Sequence, residues 1–325
     1  MTNRPARLLV GIALLASLAA CAGSPGPGTG ATSYPAPKPL GVQENASPAA
    51  GGGGPAQNCN PRASLRPQGS LPAPGTMPGG SAMRRIADSG LLKVGVDQNT
   101  NLFGYRNPAT GQIEGFDIDV AREVARAIFG DPNKVQLIAI TSAQRIPYVE
   151  QGKVDLVADT MTMNCARWQQ VNFSSVYYEA GQRVLVNKNS PAKGIGDLGG
   201  KKVCAAAGST SITNIATNPA KPIAVSVPDW TDCMVLLQQG QVEAVSTDDT
   251  ILAGMADQDP STQLVGPKFT EEPYGMAMSK NSPDLVRFVN GVLDRMRRDG
   301  TLHAINVRWL KENAPADVPP AAYQD

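Results

Sequence analysis

The sequence is short of histidine and of net charge, and both shortages argue against whole classes of function. Of its 325 residues only His303 is a histidine, which argues against a histidine-based catalytic triad and against a multi-histidine metal site. Lysine plus arginine number 29 and aspartate plus glutamate number 28, so the net charge of +1 lacks the basic excess typical of nucleic-acid-binding proteins. We therefore expect neither a metal ion nor another cofactor, and no nucleic-acid partner.

The N-terminal apolar run is too short to cross a membrane as a helix. It spans about 13 residues, 8–20, whereas a membrane-spanning helix needs roughly 20. Because Arg4 and Arg7 precede it, the run is typical of a secretory signal peptide, which we place at residues 1–20. It ends in Leu18-Ala19-Ala20-Cys21, which resembles the lipobox of bacterial lipoproteins. That resemblance implies an exported protein anchored to the outer face of the cell membrane by a lipidated Cys21. The alternative is an ordinary signal peptide with a chance cysteine.

Proline, glycine, alanine and serine dominate residues 22–80, and Gly51 to Gly54 are consecutive glycines. A segment of this composition cannot bury enough apolar surface to offset the loss of chain entropy on folding. We therefore predict that residues 21–80 form a disordered tether, which holds the folded body away from the membrane.

Four cysteines remain after Cys21, and an even number in an exported protein favours two disulfides with three possible pairings. Cys204 ends a predicted strand and Cys233 opens a predicted helix in the same half of the chain, so we favour the pair Cys204–Cys233. Cys59 and Cys165 would then form the second disulfide and fasten the tether to the folded body. Buried free thiols are the alternative.

Predicted strands and helices alternate from residue 91 onward. Residues 91–96 and 135–140 are typical of strands, and residues 117–129 are typical of a helix with apolar side chains one turn apart on one face. We expect Asp117 to cap the N-terminus of this helix and Gly130 its C-terminus. This alternation predicts an α/β fold with largely parallel strands.

A seven-residue segment occurs twice in the chain with a similar residue pattern. Residues 151–157 (QGKVDLV) recur as residues 239–245 (QGQVEAV), and the two copies are followed by Asp159-Thr160 and Thr247-Asp248. Each copy predicts a helix end, a glycine stop and a buried strand. Since ligands bind beyond the carboxyl ends of strands in open α/β sheets, we expect these two strand ends to face each other across a cleft. A chance similarity between two common units is the alternative.

The stretch Gly115-Phe116-Asp117-Ile118-Asp119-Val120-Ala121 resembles the signature of the family 3 extracellular solute-binding proteins, the polar amino-acid receptors of ABC importers. The resemblance covers about residues 81–315. Three blocks look most like the branch that binds glutamate, aspartate or glutamine. These blocks are Gly208-Ser209-Thr210, Thr247-Asp248-Asp249 and Glu271-Glu272-Pro273-Tyr274.

The resemblance implies an α/β, two-lobed periplasmic-binding-protein type II fold, in which each lobe is a sheet flanked by helices and two hinge strands join the lobes. Lobe 1 would comprise residues 81–182 and, after the chain returns, residues 273–325 with the C-terminal helices; lobe 2 would comprise residues 183–272. The resemblance also implies a monomer that is not an enzyme, with an amino-acid ligand and an ABC importer permease as partners. The alternatives are a sensor subunit that signals to a membrane protein and, on the same fold, a dehydratase-like enzyme.

The resemblance further implies how the α-groups of an amino acid would be bound. Arg167 stands where the family places the arginine that pairs with the ligand carboxylate, and Asp248 stands where it places the acid that takes the ammonium. Asp249 is the rival for the second role. Further ligand contacts are expected from Thr160, Thr162, Ser209 and Thr210. The last two lie at a predicted helix N-terminus, where backbone amides favour anions.

The ligand side chain is expected to meet Asp97, which ends the first strand at a position where glutamine receptors use an acid. Arg106 is the candidate cation that would balance an acidic ligand, with Arg145 and Lys93 as further candidates. Ala206 and Thr247 depart from the glutamine pattern. We therefore expect glutamate and aspartate as preferred ligands, with asparagine and glutamine as weaker ones.

Overall fold

The computed structural model describes residues 36–49, 59–311, 314–315 and 317–324, and the chain from Lys38 onward belongs to one compact unit. The predicted signal peptide and the predicted lipidation site Cys21 lie outside the described residues, as do residues 22–35 and 50–58 of the predicted tether. Within the ranges just given, no helix has both the length and the apolar character needed to cross a membrane.

The secondary structure of the described residues consists of short strands and of helices of varied length. The strands are β1 (Gln43–Glu44), β2 (Ala63–Leu65), β3 (Leu92–Val96), β4 (Asn99–Thr100), β5 (Gly104–Arg106), β6 (Ile113–Glu114), β7 (Val135–Ala139), β8 (Leu156–Val157), β9 (Val171–Phe173), β10 (Tyr178–Ala180), β11 (Gln182–Asn187), β12 (Lys202–Ala206), β13 (Ile223–Val227), β14 (Ala244–Asp248), β15 (Thr262–Val265), β16 (Glu272–Tyr274), β17 (Ala277–Ser279) and β18 (Ala322–Gln324). The α-helices are α1 (Ala82–Ser89), α2 (Phe116–Phe129), α3 (Arg145–Glu150), α4 (Cys165–Trp168), α5 (Thr210–Ala216), α6 (Trp230–Gln238), α7 (Asp249–Gln258), α8 (Pro283–Arg298) and α9 (Thr301–Leu310).

Two sheets form the centres of two lobes. The sheet of lobe 1 has the strand order β7-β3-β8-β17-β9, and that of lobe 2 has the order β1-β13-β12-β14-β11-β15. Three neighbouring strands of each sheet are parallel: β7-β3-β8, at one edge of the lobe 1 sheet, and β13-β12-β14, at the middle of the lobe 2 sheet. Helices α1, α2, α8 and α9 contribute buried side chains to the core of lobe 1, and α5, α6 and α7 contribute to that of lobe 2.

Two antiparallel strands, β10 and β16, pair where the chain passes between the lobes, with Tyr178 opposite Tyr274 and Ala180 opposite Glu272. These two strands are the predicted hinge. Together with the two sheets they confirm the predicted α/β two-lobed fold, because each lobe is a sheet flanked by helices.

Helix α2 shows how the sequence pattern produces local structure. It begins one residue earlier than predicted, and its apolar positions Val120, Val124 and Ile128 are fully buried in lobe 1. Gly130 ends the helix in the left-handed conformation, as predicted. Asp117, however, does not cap the N-terminus; Gly115 takes the cap position because the chain there lies against the Phe103 backbone, where a Cβ atom would clash.

The repeated segment forms the same unit in both lobes. Helices α3 and α6 are each followed by a glycine with positive φ, Gly152 at 64° and Gly240 at 68°, and then by strands β8 and β14. Strand β8 is parallel to β3, and β14 is parallel to β12. The residues that follow β8 and those that end β14 therefore lie at the carboxyl ends of the parallel strands in the two sheets.

The prediction of a disordered tether is wrong for the described parts of residues 38–80. Strand β1 adds to the edge of the lobe 2 sheet, where Gln43 pairs with Ser226. Strand β2 pairs in parallel with β18 beside lobe 1, and Ser64 within it is fully buried. Composition failed here because the backbone groups of this segment find partners on both lobes, which the sequence of the segment alone does not reveal.

Both predicted disulfides are present. Cys204 and Cys233 join β12 to α6 within lobe 2, with their Cα atoms 5.6 Å apart. Cys59 and Cys165 join the N-terminal segment to α4, with their Cα atoms 6.0 Å apart. The N-terminal segment is therefore attached to lobe 2 through β1 and to lobe 1 through both β2 and a covalent bond.

Candidate functional site

Arg167 is a buried cation whose hydrogen bonds go to backbone carbonyl groups. It lies on α4, which Asn164 caps by accepting a hydrogen bond from the Arg167 amide at 2.8 Å. Only 2% of the residue is exposed. Its Nη1 donates to the Thr162 carbonyl at 2.6 Å and its Nη2 donates to the Gly208 carbonyl at 3.2 Å. Burial, and then repulsion from Arg145, lowers the pKa of Arg167 to about 9.

The guanidinium of Arg167 makes no ion pair within 4.0 Å in the described part of the chain. The same holds for Arg145, which is 3% exposed and donates from Nε to the Ser142 carbonyl and from Nη1 to the Asp159 carbonyl. Carboxylate groups act on both guanidinium groups only from beyond this distance. A buried charge with no counter-charge in direct contact is costly, so the two guanidinium groups favour an anion nearby.

Asp248 supplies an acceptor that the protein leaves open. It ends β14, and its Oδ2 accepts a hydrogen bond from the Tyr274 hydroxyl at 2.6 Å. Its Oδ1 is buried and has no partner among the described residues. Burial, followed by repulsion from Glu272, raises the pKa of Asp248 well above its ordinary value. A ligand ammonium would satisfy this oxygen and supply the missing positive charge.

Asp249, the rival of Asp248, is already paired. Its Oδ1 accepts a hydrogen bond from the Gly181 amide at 3.1 Å, and its Oδ2 forms an ion pair with Lys268 at 2.9 Å. Of the two acids, Asp248 is the one with an open acceptor in the interior.

The two lobes touch at the site. The bond from Arg167 to the Gly208 carbonyl joins lobe 1 to lobe 2, and the Thr162 and Thr210 hydroxyl oxygens lie 3.5 Å apart across the same boundary. Thr210 also donates to Glu272 at 2.9 Å. A Cβ atom at Gly208 would lie 2.6 Å from the Ala143 Cα atom, so only glycine permits this approach. The lobes are therefore in a closed arrangement.

A second group of buried polar side chains surrounds the end of β8. The Thr160 amide donates to Asp117 Oδ2 at 2.7 Å, and Asp117 Oδ1 accepts from the Tyr177 hydroxyl at 2.8 Å. Burial raises the pKa of Asp117 to about 7. The Thr160 hydroxyl and Asp159 Oδ2 are buried without a partner among the described residues. Burial also raises the pKa of Asp159 well above its ordinary value.

Ser209 uses its hydroxyl within its own helix. The oxygen accepts from the Ile212 amide at 3.2 Å and donates to the Ala206 carbonyl at 2.7 Å, which caps α5. The structure thus brings Arg167, Thr162 and Thr210 together. The Ser209 hydroxyl, in contrast, already forms the hydrogen bonds that cap α5.

Asp97 and Arg106 differ in burial. Asp97 is 7% exposed, and its oxygens accept from the Gln98 and Asn99 amides and from the Thr100 hydroxyl. Burial raises its pKa. Arg106 is exposed on β5 and donates to Gln98 and to the Gly111 carbonyl. The expectation that Arg106 lies at the ligand is therefore not supported, because its own hairpin binds the guanidinium at the surface.

Several buried groups at this boundary are not predicted from the sequence. The helix pattern predicts only a capping role for Asp117, and Glu272 and Tyr274 are only parts of a motif. The position of Asp159 just after a buried strand is the signal that could identify it. Within the described residues, no group of three or more histidine, cysteine, aspartate or glutamate side chains is placed to hold a metal ion.

Curated relatives are similar over most of their length. The chain is 42% identical over 233 residues to the ABC transporter glutamine-binding protein GlnH of Bacillus subtilis strain 168, which covers 71% of this chain and 85% of the relative. It is 30% identical over 260 residues to the glutamate-binding protein GluB of Corynebacterium efficiens, covering 76% of this chain and 87% of the relative. Both relatives are named as binding proteins and not as enzymes.

Solved structures agree with the fold. An ancestral arginine-binding protein bound to glutamine superimposes with a TM-score of 0.62 and 33% identity, covering 68% of this chain and 97% of that chain. A cysteine-binding protein from Campylobacter jejuni gives a TM-score of 0.68 with 25% identity, covering 74% of this chain and 96% of that chain. Residues 92–312 match the family model of the bacterial extracellular solute-binding proteins, family 3, and the chain belongs to that family.

Proposed function

We propose that this protein is an exported, lipid-anchored receptor that binds an acidic amino acid between its two lobes and delivers it to an ABC importer. The observation that carries the proposal is the pair of buried guanidinium groups, Arg145 and Arg167, which bond only to carbonyl groups among the described residues. The open oxygen of Asp248 lies on the facing lobe.

The α-carboxylate and the ammonium of the ligand pair with one buried cation and one buried acid of the protein. The α-carboxylate binds the planar guanidinium of Arg167, which suits bidentate recognition of a carboxylate. The ammonium binds Asp248 Oδ1. The hydroxyl groups of Thr162 and Thr210, which meet at the lobe boundary, add hydrogen bonds to the same ligand. We also expect the Thr160 backbone to contact the ligand from lobe 1.

The side chain of the ligand pairs with the second buried cation, Arg145. Arg145 is buried, and electrostatic repulsion from it lowers the pKa of Arg167, so the two guanidinium groups act on a common interior. A second carboxylate on the ligand would neutralise Arg145. Glutamate or aspartate is therefore the preferred ligand, and glutamine or asparagine binds more weakly. One relative is named for glutamine and another for glutamate, so the order of acid and amide is the part of this proposal that the titrations below decide.

Ligand binding favours the closed arrangement because the ligand bonds to both lobes at once. A ligand shifts the equilibrium between open and closed states only by the difference in its affinity for them. Lobe 1 (residues 81–182 and 273–325) supplies Arg145 and Arg167, and lobe 2 (residues 183–272) supplies Asp248. The closed monomer then presents a surface that the importer permease recognises, while lipidated Cys21 keeps the protein at the membrane.

Isothermal titration calorimetry with the full exported chain tests the proposal. Glutamate, aspartate, glutamine, asparagine, arginine and histidine are titrated separately. We expect the two acids to bind most tightly and the two amides more weakly. Binding of arginine or histidine alone would contradict the assignment of the ligand class.

A further inference from the structure

Two consecutive residues at the end of β8 carry buried polar atoms that no described residue satisfies. Six such side-chain atoms occur in the described part of the chain. Asp159 Oδ2, Thr160 Oγ1 and Asp248 Oδ1 belong to the site between the lobes, while Arg122 Nε and both Asn306 atoms lie on α2 and α9. Because buried polar groups are normally hydrogen-bonded, a cluster of three unpaired atoms at one site indicates a missing partner.

The backbone at the same place is held in an uncommon conformation. Thr160 has a φ angle of 39°, in the left-handed region that β-branched residues rarely adopt. Its amide donates to the buried Asp117 carboxyl group, which helps to hold this conformation. Strain of this kind persists only where the surroundings fix it, and it is concentrated at functional sites.

The charged and titratable groups that act on Asp159 lie on or beside five elements around β8. These groups are Asp97 after β3, Asp117 on α2, Arg145 on α3, Arg167 on α4 and, through its hydroxyl, Tyr177 before β10. Arg145 also donates to the Asp159 backbone carbonyl at 2.9 Å. Asp159 therefore stands beside the cation assigned above to the ligand side chain.

We propose that Asp159 determines how the protein chooses between the acid and amide forms of its ligand, by bonding the end of the ligand side chain through its open Oδ2 atom. The proposal rests on the proposed function, since it places the ligand side chain beside Arg145. The Thr160 hydroxyl completes this subsite, because it can donate to a carboxylate or to an amide oxygen with equal ease.

The choice depends on the proton that Asp159 carries. When protonated, the carboxyl group donates its O–H to the side-chain carboxylate of glutamate or aspartate. When ionised, it repels that carboxylate and instead accepts an N–H from the amide of glutamine or asparagine. Because burial raises the pKa of Asp159, the protonated form extends to higher pH than for an exposed aspartate. The preference for the acid should therefore weaken as pH rises.

The test measures the dissociation constant of glutamate divided by that of glutamine. Calorimetry gives this ratio between about pH 5.5 and about pH 8.5, where the side-chain carboxylate of glutamate itself stays ionised. Both ligands have the same α-groups, so titration at Asp248 largely cancels in the ratio. We expect the ratio for the wild-type protein to rise with pH, by at most about tenfold per pH unit, the limit for uptake of one proton. The ratio for Asp159→Asn should change with pH much less than that of the wild type, since the amide donates and accepts at every pH and only neighbouring groups such as Asp117 still titrate.

Asp155→Asn is the matched control, because Asp155 precedes the same strand at its opposite end and accepts a bond from the Lys93 amide. It should keep the wild-type pH profile. Asp159→Ala is the second variant should Asp159→Asn fail to fold, and its ratio should also change with pH much less than that of the wild type. A wild-type ratio that does not change with pH, or a pH dependence of wild-type size in the Asp159 variants, would overturn the role of Asp159. Failure of the wild-type protein to bind any of these ligands would instead overturn the proposed function and this inference with it.

Discussion

Replacing Arg167 by methionine removes the guanidinium while keeping a side chain of similar length. In the wild-type protein the guanidinium donates to two carbonyl groups and has no carboxylate partner in the described residues, so its counter-charge would come from the ligand. Removing one member of a buried ion pair costs about 3–5 kcal/mol, because the other charge stays buried and unpaired. At about 1.4 kcal/mol per factor of ten, the dissociation constant for glutamate should rise by about 10² to 10⁴.

Calorimetry on purified Arg167→Met measures this loss directly, and thermal unfolding of the ligand-free variant shows whether the fold is intact. Arg106→Met is the control, because Arg106 is an exposed arginine that its own hairpin holds. It should bind glutamate as the wild type does. Near-normal affinity of a folded Arg167→Met variant would refute the claim that Arg167 pairs with the ligand carboxylate.

Three further predictions concern pH, the disulfide and the membrane. The pKa of Asp117 is about 7 in the folded protein and lower when unfolded, so its contribution to the free energy of unfolding is greatest at low pH and declines as pH rises to about 7. Asp117→Asn should remove this contribution to the pH dependence. Identical pH profiles of wild type and variant in chemical unfolding would contradict the prediction. Replacing Cys59 and Cys165 together by serine should lower the free energy of unfolding by about 2–5 kcal/mol, whereas an unchanged melting temperature would show that this disulfide does not stabilise the fold. Cys21→Ser should move the protein from the membrane fraction to the soluble fraction, and an unchanged distribution on fractionation would refute the lipid anchor.

The fold could be predicted from the sequence because its signals are local. The apolar spacing in α2, the stop at Gly130 and the two copies of the helix–glycine–strand unit each depend on neighbouring residues. The two cysteine pairings also followed from element positions. The attachment of β1 and β2 could not be predicted. A short strand pairs with a neighbouring strand that lies far away in the sequence, and its own composition does not identify that partner.

The candidate site was predictable only in part. Arg167 and Asp248 were named from a motif, and the structure places both in the interior between the lobes. Arg106 and Arg145 carry the same charge and could not be ranked without knowing that one is exposed and the other is buried. The open atoms of Asp159 and Thr160 could not be foreseen at all, because an unsatisfied hydrogen bond is a property of the packed chain and not of the residue type.

A crystal structure of the protein with bound glutamate tests the roles of Arg167 and Asp248 directly. We expect the α-carboxylate within hydrogen-bond distance of the Arg167 guanidinium, the ammonium at Asp248 Oδ1 and the side-chain carboxylate beside Arg145. A ligand bound elsewhere, or one in the cleft that touches neither Arg167 nor Asp248, would contradict these roles.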